Sequence, residues 1–113
     1  MRIVNRKEFL SMPSGTVYSH YMPQVSDGLM IKGDTWTNDW LYQDLLFEVE
    51  GNDSGEVHET LCAAEEKGTS FKLDLNCGSR DGCFESDQLF MVYERSDVEA
   101  LISALTVCIV PTE

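Results

Sequence analysis

Four cysteines and two histidines carry the most versatile chemistry in this chain: Cys62, Cys77, Cys83, Cys108, His20 and His58. Thiolates and imidazoles serve as nucleophiles, proton carriers and zinc ligands. Their spacing speaks against a zinc centre. There is no Cys-x-x-Cys pair, Cys77 and Cys83 are separated by five residues, and the two histidines lie far apart in sequence. Other sites leave no signature either. The glycines form neither a dinucleotide fingerprint nor a phosphate-binding loop. Ser14 and Ser54 each precede a glycine, but neither sits in a Gly-x-Ser-x-Gly elbow. Asp81, Glu85 and Asp87 supply oxygen ligands by type, without the alternating spacing of a calcium loop. No catalytic residue, metal or cofactor is therefore assigned.

Charge gives a stronger signal. The chain has 113 residues, 20 of them acidic against 8 basic, for a net charge of −12. A nucleic-acid or anionic lipid surface would be repelled, whereas a basic protein would be attracted. The acids concentrate between Asp44 and Glu66, where eight carboxylates occur with no Lys or Arg among them. Asp44, Glu48, Glu50, Asp53, Glu56 and Glu59 are the candidate protein-binding carboxylates, with Trp36 and Trp40 as aromatic anchors. A second reading uses the aromatics differently. Trp36, Trp40 and Tyr42 would stack on a base, and Arg80, Lys32 and Lys72 would meet the phosphate of a sequestered nucleotide signal. A third is a small enzyme whose site is assembled from dispersed residues.

The length predicts one domain, residues 1–113. Asn5 and Glu8 have capping-box spacing and predict a short N-terminal helix carrying Phe9 and Leu10. Residues 16–21 and 29–32 read as a hairpin turning at Ser26-Asp27-Gly28, and 41–49 as a third strand. A helix is expected over 56–66, with Val57, Leu61 and Ala64 in its apolar stripe and Gly68 beyond its end. Phe71, Leu73 and Leu75 alternate as in a strand, and 76–82 reads as a loop. Residues 89–93 are apolar without alternation, as in a central strand covered on both sides. Ser96 and Glu99 predict the cap of a last helix with Val98, Leu101, Ile102 and Leu105 inward, so Leu101→Asp should abolish cooperative unfolding. Residues 106–110 are expected as a short strand or extended tail. The expected fold is α+β: a small antiparallel sheet packed against two main helices, with a short N-terminal helix.

No apolar run reaches membrane-spanning length, and residues 1–8 lack the apolar core of a secretion signal. Reduced thiols in a cytoplasm are expected, with Cys62 and Cys108 in the core. Cys77 and Cys83 flank a turn-rich segment and could approach each other. The segments from Glu8 to Tyr18, from Asp87 to Tyr93 and from Ser96 to Glu99 resemble small accessory proteins of bacteriophages and prophages. That resemblance implies a viral protein in a bacterial host cytoplasm that binds and inhibits a host protein, such as a defence factor. It carries over no active residue. Homo-oligomerisation is compatible with the size of the chain, but no residue pattern specifies it.

Overall fold

The computed structural model describes residues 1–46, 49, 51–75 and 78–109. The elements run β1 (Arg2–Asn5), α1 (Arg6–Leu10), β2 (Val17–Met22), β3 (Val25–Trp36), β4 (Asp39–Asp44), α2 (Ser54–Lys67), β5 (Ser79–Arg80), β6 (Leu89–Tyr93) and α3 (Arg95–Ile109). Six strands form one sheet in the order β1-β6-β2-β3-β4-β5, with every pairing antiparallel. This is the α+β class that the patterning predicts, including the short N-terminal helix.

Local chemistry explains the element ends. The Asn5 side chain accepts the Glu8 N–H at 2.9 Å, which fixes the start of α1. Asp53 does the same for α2, accepting the Glu56 N–H at 2.8 Å, while Glu56 reaches back to the Asn52 N–H at 2.8 Å. Gly68 closes α2 at φ 69°, donating its N–H to the Ala64 carbonyl. In α3 the cap lies two residues earlier than Ser96 and Glu99 suggest, because Asp97 accepts the Glu94 N–H at 2.9 Å. The β2–β3 hairpin turns at Pro23-Gln24, and Gly28 (φ 76°) sits at a bulge inside β3 instead of at the turn.

The strand registers divide the sheet into two unlike faces. Tyr18, Phe90, Val92 and Val4 share the face covered by α1. Phe9 enters this core from α1, stacking on Phe90 with ring centroids 4.2 Å apart and meeting Tyr18 at 4.6 Å and Trp40 at 4.9 Å. Met30 completes the buried cluster. The opposite face carries Ile3, Val17, Ile31, Leu89, Met91 and Tyr93, all half-buried or exposed. Residues 89–93 thus form a central strand, but only Phe90 and Val92 are covered. Among the described residues, no second layer lies over the other side.

The longer helices do not supply that layer. Of the stripe expected to face inward from α3, Val98 is half-buried and the rest is exposed: Ile102 is 59% and Leu105 67% accessible, and α3 buries no residue. The helix leaves β6 after Glu94 alone and projects from the end of the sheet. It continues through Ile109, so 106–109 are helical instead of extended; the remainder of that expected tail lies outside the described residues. Helix α2 also has no buried residue, with Val57, Leu61 and Ala64 half-covered. The expected strand 71–75 reduces to one bridge between Leu73 and Val49, and β5 is the strand that pairs with β4. Phe71, Leu73 and Leu75 are exposed. Cys108 is exposed and Cys62 half-buried, so neither is a core residue; Cys77, and with it any approach to Cys83, lies outside the described residues.

Candidate functional site

A polar network crosses the covered face of the sheet. Trp40 Nε1 donates to Tyr18 OH at 2.9 Å, and Tyr18 OH donates to Asp81 Oδ2 at 3.0 Å. The same carboxylate oxygen lies 3.2 Å from His20 Nε2. The hydrogen bond to Asp81 raises the His20 pKa against the lowering effect of burial. Burial drives the Tyr18 hydroxyl far above its ordinary range, so it acts as a hydrogen-bond donor and not as a base. A cavity of about 210 Å³ opens beside this network, lined by His20, Asp27, Met30, Tyr42, Asp44 and Asp81. The His20–Asp81 pair can hold and move a proton. A histidine–carboxylate pair performs acyl transfer only with a nucleophile on its other nitrogen, and among the described residues none bonds to His20 Nδ1.

The residues of the nucleotide reading do not converge. Trp40 is fully buried in the core and cannot stack on a ligand. Lys32 is buried as well: its Nζ donates to the Met12 carbonyl at 2.8 Å, the Gly33 carbonyl at 3.4 Å and Thr35 Oγ1. Desolvation lowers its pKa. Lys32 therefore ties β3 to the end of α1 and does not reach a phosphate. Tyr42 faces the cavity with three carboxylates, which would repel an anion. Lys72 is exposed at a separate cleft with Glu56, Phe71 and Asp74. Arg80 and Trp36 do meet, with the guanidinium carbon 5.6 Å from the indole centroid.

That pair stands on a buried anchor. Asp39 Oδ2 accepts from Arg80 Nε at 3.0 Å, and Oδ1 accepts the N–H groups of Trp40 (2.8 Å) and Gly82 (3.1 Å). Burial would raise the Asp39 pKa, but these donors outweigh it and hold the carboxyl below its ordinary range. The turn beside it places Thr37 at φ 48°, a backbone region that a β-branched residue rarely occupies. Trp36 is 48% exposed, so this corner presents an indole held from one side by a guanidinium.

The candidate carboxylates separate into distinct places. Asp44 lies on the cavity with Asp27 and Asp81 and accepts the Leu46 N–H at 2.9 Å. Trp36 and Asp44 occupy opposite ends of the β3–β4 ladder, about 17 Å apart at the usual rise per strand residue. Asp53 and Glu56 are engaged in the α2 cap. Glu48 and Glu50 lie outside the described residues. Glu59 is exposed, as are Glu65 and Glu66. Glu56, Glu59 and Glu66 fall on one side of α2 at spacings of three and seven. Among the described residues, no ion pair neutralises any carboxylate of α2.

Two associations were not anticipated from sequence. Cys62 Sγ lies 3.5 Å from His58 Nε2 on α2, a neighbourhood that their four-residue spacing would have revealed. His20 and Asp81 are 61 positions apart, and no local pattern links them. Among the described residues, no group of three His, Cys, Asp or Glu is placed to hold a metal ion. No described helix is long and apolar enough to cross a membrane.

No family model, curated protein or solved structure matches this chain. These comparisons overturn the viral, prophage and host-defence identity that the sequence resemblance implied, which none of them supports; the α+β architecture is what stands.

Proposed function

We propose that the protein is a non-enzymatic binding module that captures a partner protein with a basic surface, using the exposed acidic side of α2. The observation that supports this reading is the uncompensated charge of that helix. Glu59 and Glu66 on that side, and Glu65 about a third of a turn around the helix from Glu59, are exposed without an ionic partner among the described residues, in a chain of net charge −12. Such a surface steers a cationic partner at long range, and its effect falls as salt rises. The Trp36–Arg80 corner is a separate contact surface at the far end of the β3–β4 ladder.

The test is affinity capture from a lysate of the source organism at low and high salt. The wild type is compared with a Glu59→Lys/Glu65→Lys/Glu66→Lys variant, which leaves the capping pair Asp53 and Glu56 intact. A specific basic protein retained at low salt by the wild type, and lost with the variant, is expected. A partner held equally by both proteins, or no specific partner under either condition, would refute the reading.

A further inference from the structure

The chain displays two uncovered apolar surfaces that normally cover each other. One is the open sheet face, with Ile3, Val17, Ile31, Leu89, Met91 and Tyr93. The other is the stripe of α3, where Val98, Leu101, Ile102, Leu105 and Ile109 recur at helical spacing. A sheet with one apolar face and a helix with one apolar stripe are the two halves of an ordinary α/β layer. Among the described residues, α3 meets the sheet only where it leaves β6. A gap of about 610 Å³, bordered by Val17, Val92, Tyr93 and Val98, separates the first turns of α3 from the strand ends. Beyond it the helix runs clear of the sheet, and Ile109 is 82% exposed.

Size measures what is missing. The radius of gyration is 16.5 Å, whereas a folded domain of 113 residues has about 13 Å. The exposed surface is 8157 Å², about 1,900 Å² more than a monomer of this mass normally shows. An obligate homodimer buries about 1,000–2,500 Å² per partner, so the excess is the amount a stable dimer would remove.

We infer that a second copy of this chain covers these surfaces, with α3 of each copy lying across the open sheet face of the other. The exchange is reciprocal and closes on a two-fold axis, which a self-complementary contact requires. The dimensions agree. Fifteen helical residues span about 22 Å, and the five- and six-residue strands β6 and β2 span about 17–20 Å. Charge agrees too. Neither the six sheet residues nor the five stripe residues are charged, so two acidic molecules can meet there without apposing carboxylates. Salt screens the repulsion between the copies. Association therefore tightens as ionic strength rises, opposite to the capture of a basic partner.

Light scattering coupled to size exclusion, over a hundredfold range of protein concentration, tests the exchange. The wild type is expected at twice the 12.8 kDa chain mass. Leu105→Glu changes an exposed stripe residue, and Ile3→Glu a half-exposed residue of the sheet face. Each is expected to raise the dissociation constant at least tenfold while far-UV circular dichroism is retained. An equimolar mixture of the two regains heterodimer, because one of its two contacts pairs an unaltered helix with an unaltered sheet. A wild type at the chain mass throughout would overturn the inference. So would a dimer that persists in Leu105→Glu. Loss of dimer in Leu105→Glu with none in Ile3→Glu would also overturn it, since helices would then be pairing with helices.

Discussion

Replacing Phe9 by alanine removes the one fully buried side chain of α1, which Leu10 flanks against the same cluster. The ring is fully buried, and it touches Phe90, Tyr18 and Trp40 with centroid separations of 4.2, 4.6 and 4.9 Å. Loss of a buried phenylalanine costs about 3–5 kcal/mol, combining lost burial with the cavity left behind. Collapse is limited here, because the three neighbouring rings are also held by strands β2, β4 and β6. The upper part of that range is expected. A domain of this size has roughly 5–15 kcal/mol in total, and each kcal/mol is worth about 4 °C in Tm for 113 residues. Phe9→Ala should therefore lower Tm by about 16–20 °C and move the urea midpoint without changing the slope. Both proteins are measured at one fixed concentration, since association shifts apparent stability. A loss below about 1.5 kcal/mol would mean that α1 is not the lid of this core, and that the two-faced description of the sheet is wrong.

Further outcomes follow from the same geometry. Thr37→Gly relieves a β-branched residue at φ 48° and should raise stability by about 1 kcal/mol in urea unfolding; a loss would show that Thr37 makes contacts worth more than its strain. His20 has a folded-state pKa raised above its ordinary 6.5 by the Asp81 hydrogen bond, so its contribution is present below that pH and is lost as pH rises through the folded value. Urea midpoints measured from pH 5.5 to 8.5 should fall with pH in the wild type and fall less in His20→Gln. Asp39 behaves oppositely. Its pKa is depressed below the ordinary 3.8, so its contribution is present above that pH and is lost as pH falls through the folded value. Asp39→Asn should show a shallower acid transition than the wild type. Leu101→Asp should retain cooperative unfolding of the sheet core, because Leu101 is exposed and α3 has no buried residue; loss of cooperativity would place α3 in that core after all.

Local signals in the sequence were reliable where one interaction decides the outcome. Asn5 and Glu8 predict the start of α1, and Gly68 marks the end of α2, because caps depend on residues only a few positions apart. Gly28 marked an irregularity but not its kind, since a turn and a bulge both use its positive φ. Strand β1 has no clear local signal, because Arg2 and Asn5 flank only two apolar residues; its partners on β6 lie 84 to 90 positions away. Burial was the hardest property to read. Lys32 carries a charge but fills the core, since its ammonium meets the Met12 carbonyl from 20 positions away together with the nearby Gly33 carbonyl and Thr35 hydroxyl. Trp40 had the composition of an interface anchor, yet its indole N–H is satisfied internally by Tyr18. The apolar character of both faces of β6 was visible in Leu89-Phe90-Met91-Val92-Tyr93. The sequence could not show that only one face is covered within the chain.

The acidic side of α2 as a capture surface is tested most directly by titration calorimetry against the partner recovered from lysate, at two ionic strengths, with the wild type and the triple lysine variant. The proposal predicts wild-type affinity that weakens roughly tenfold or more between low and moderate salt, and a variant that binds weakly at both. Equal affinity for the two proteins at both ionic strengths would contradict it.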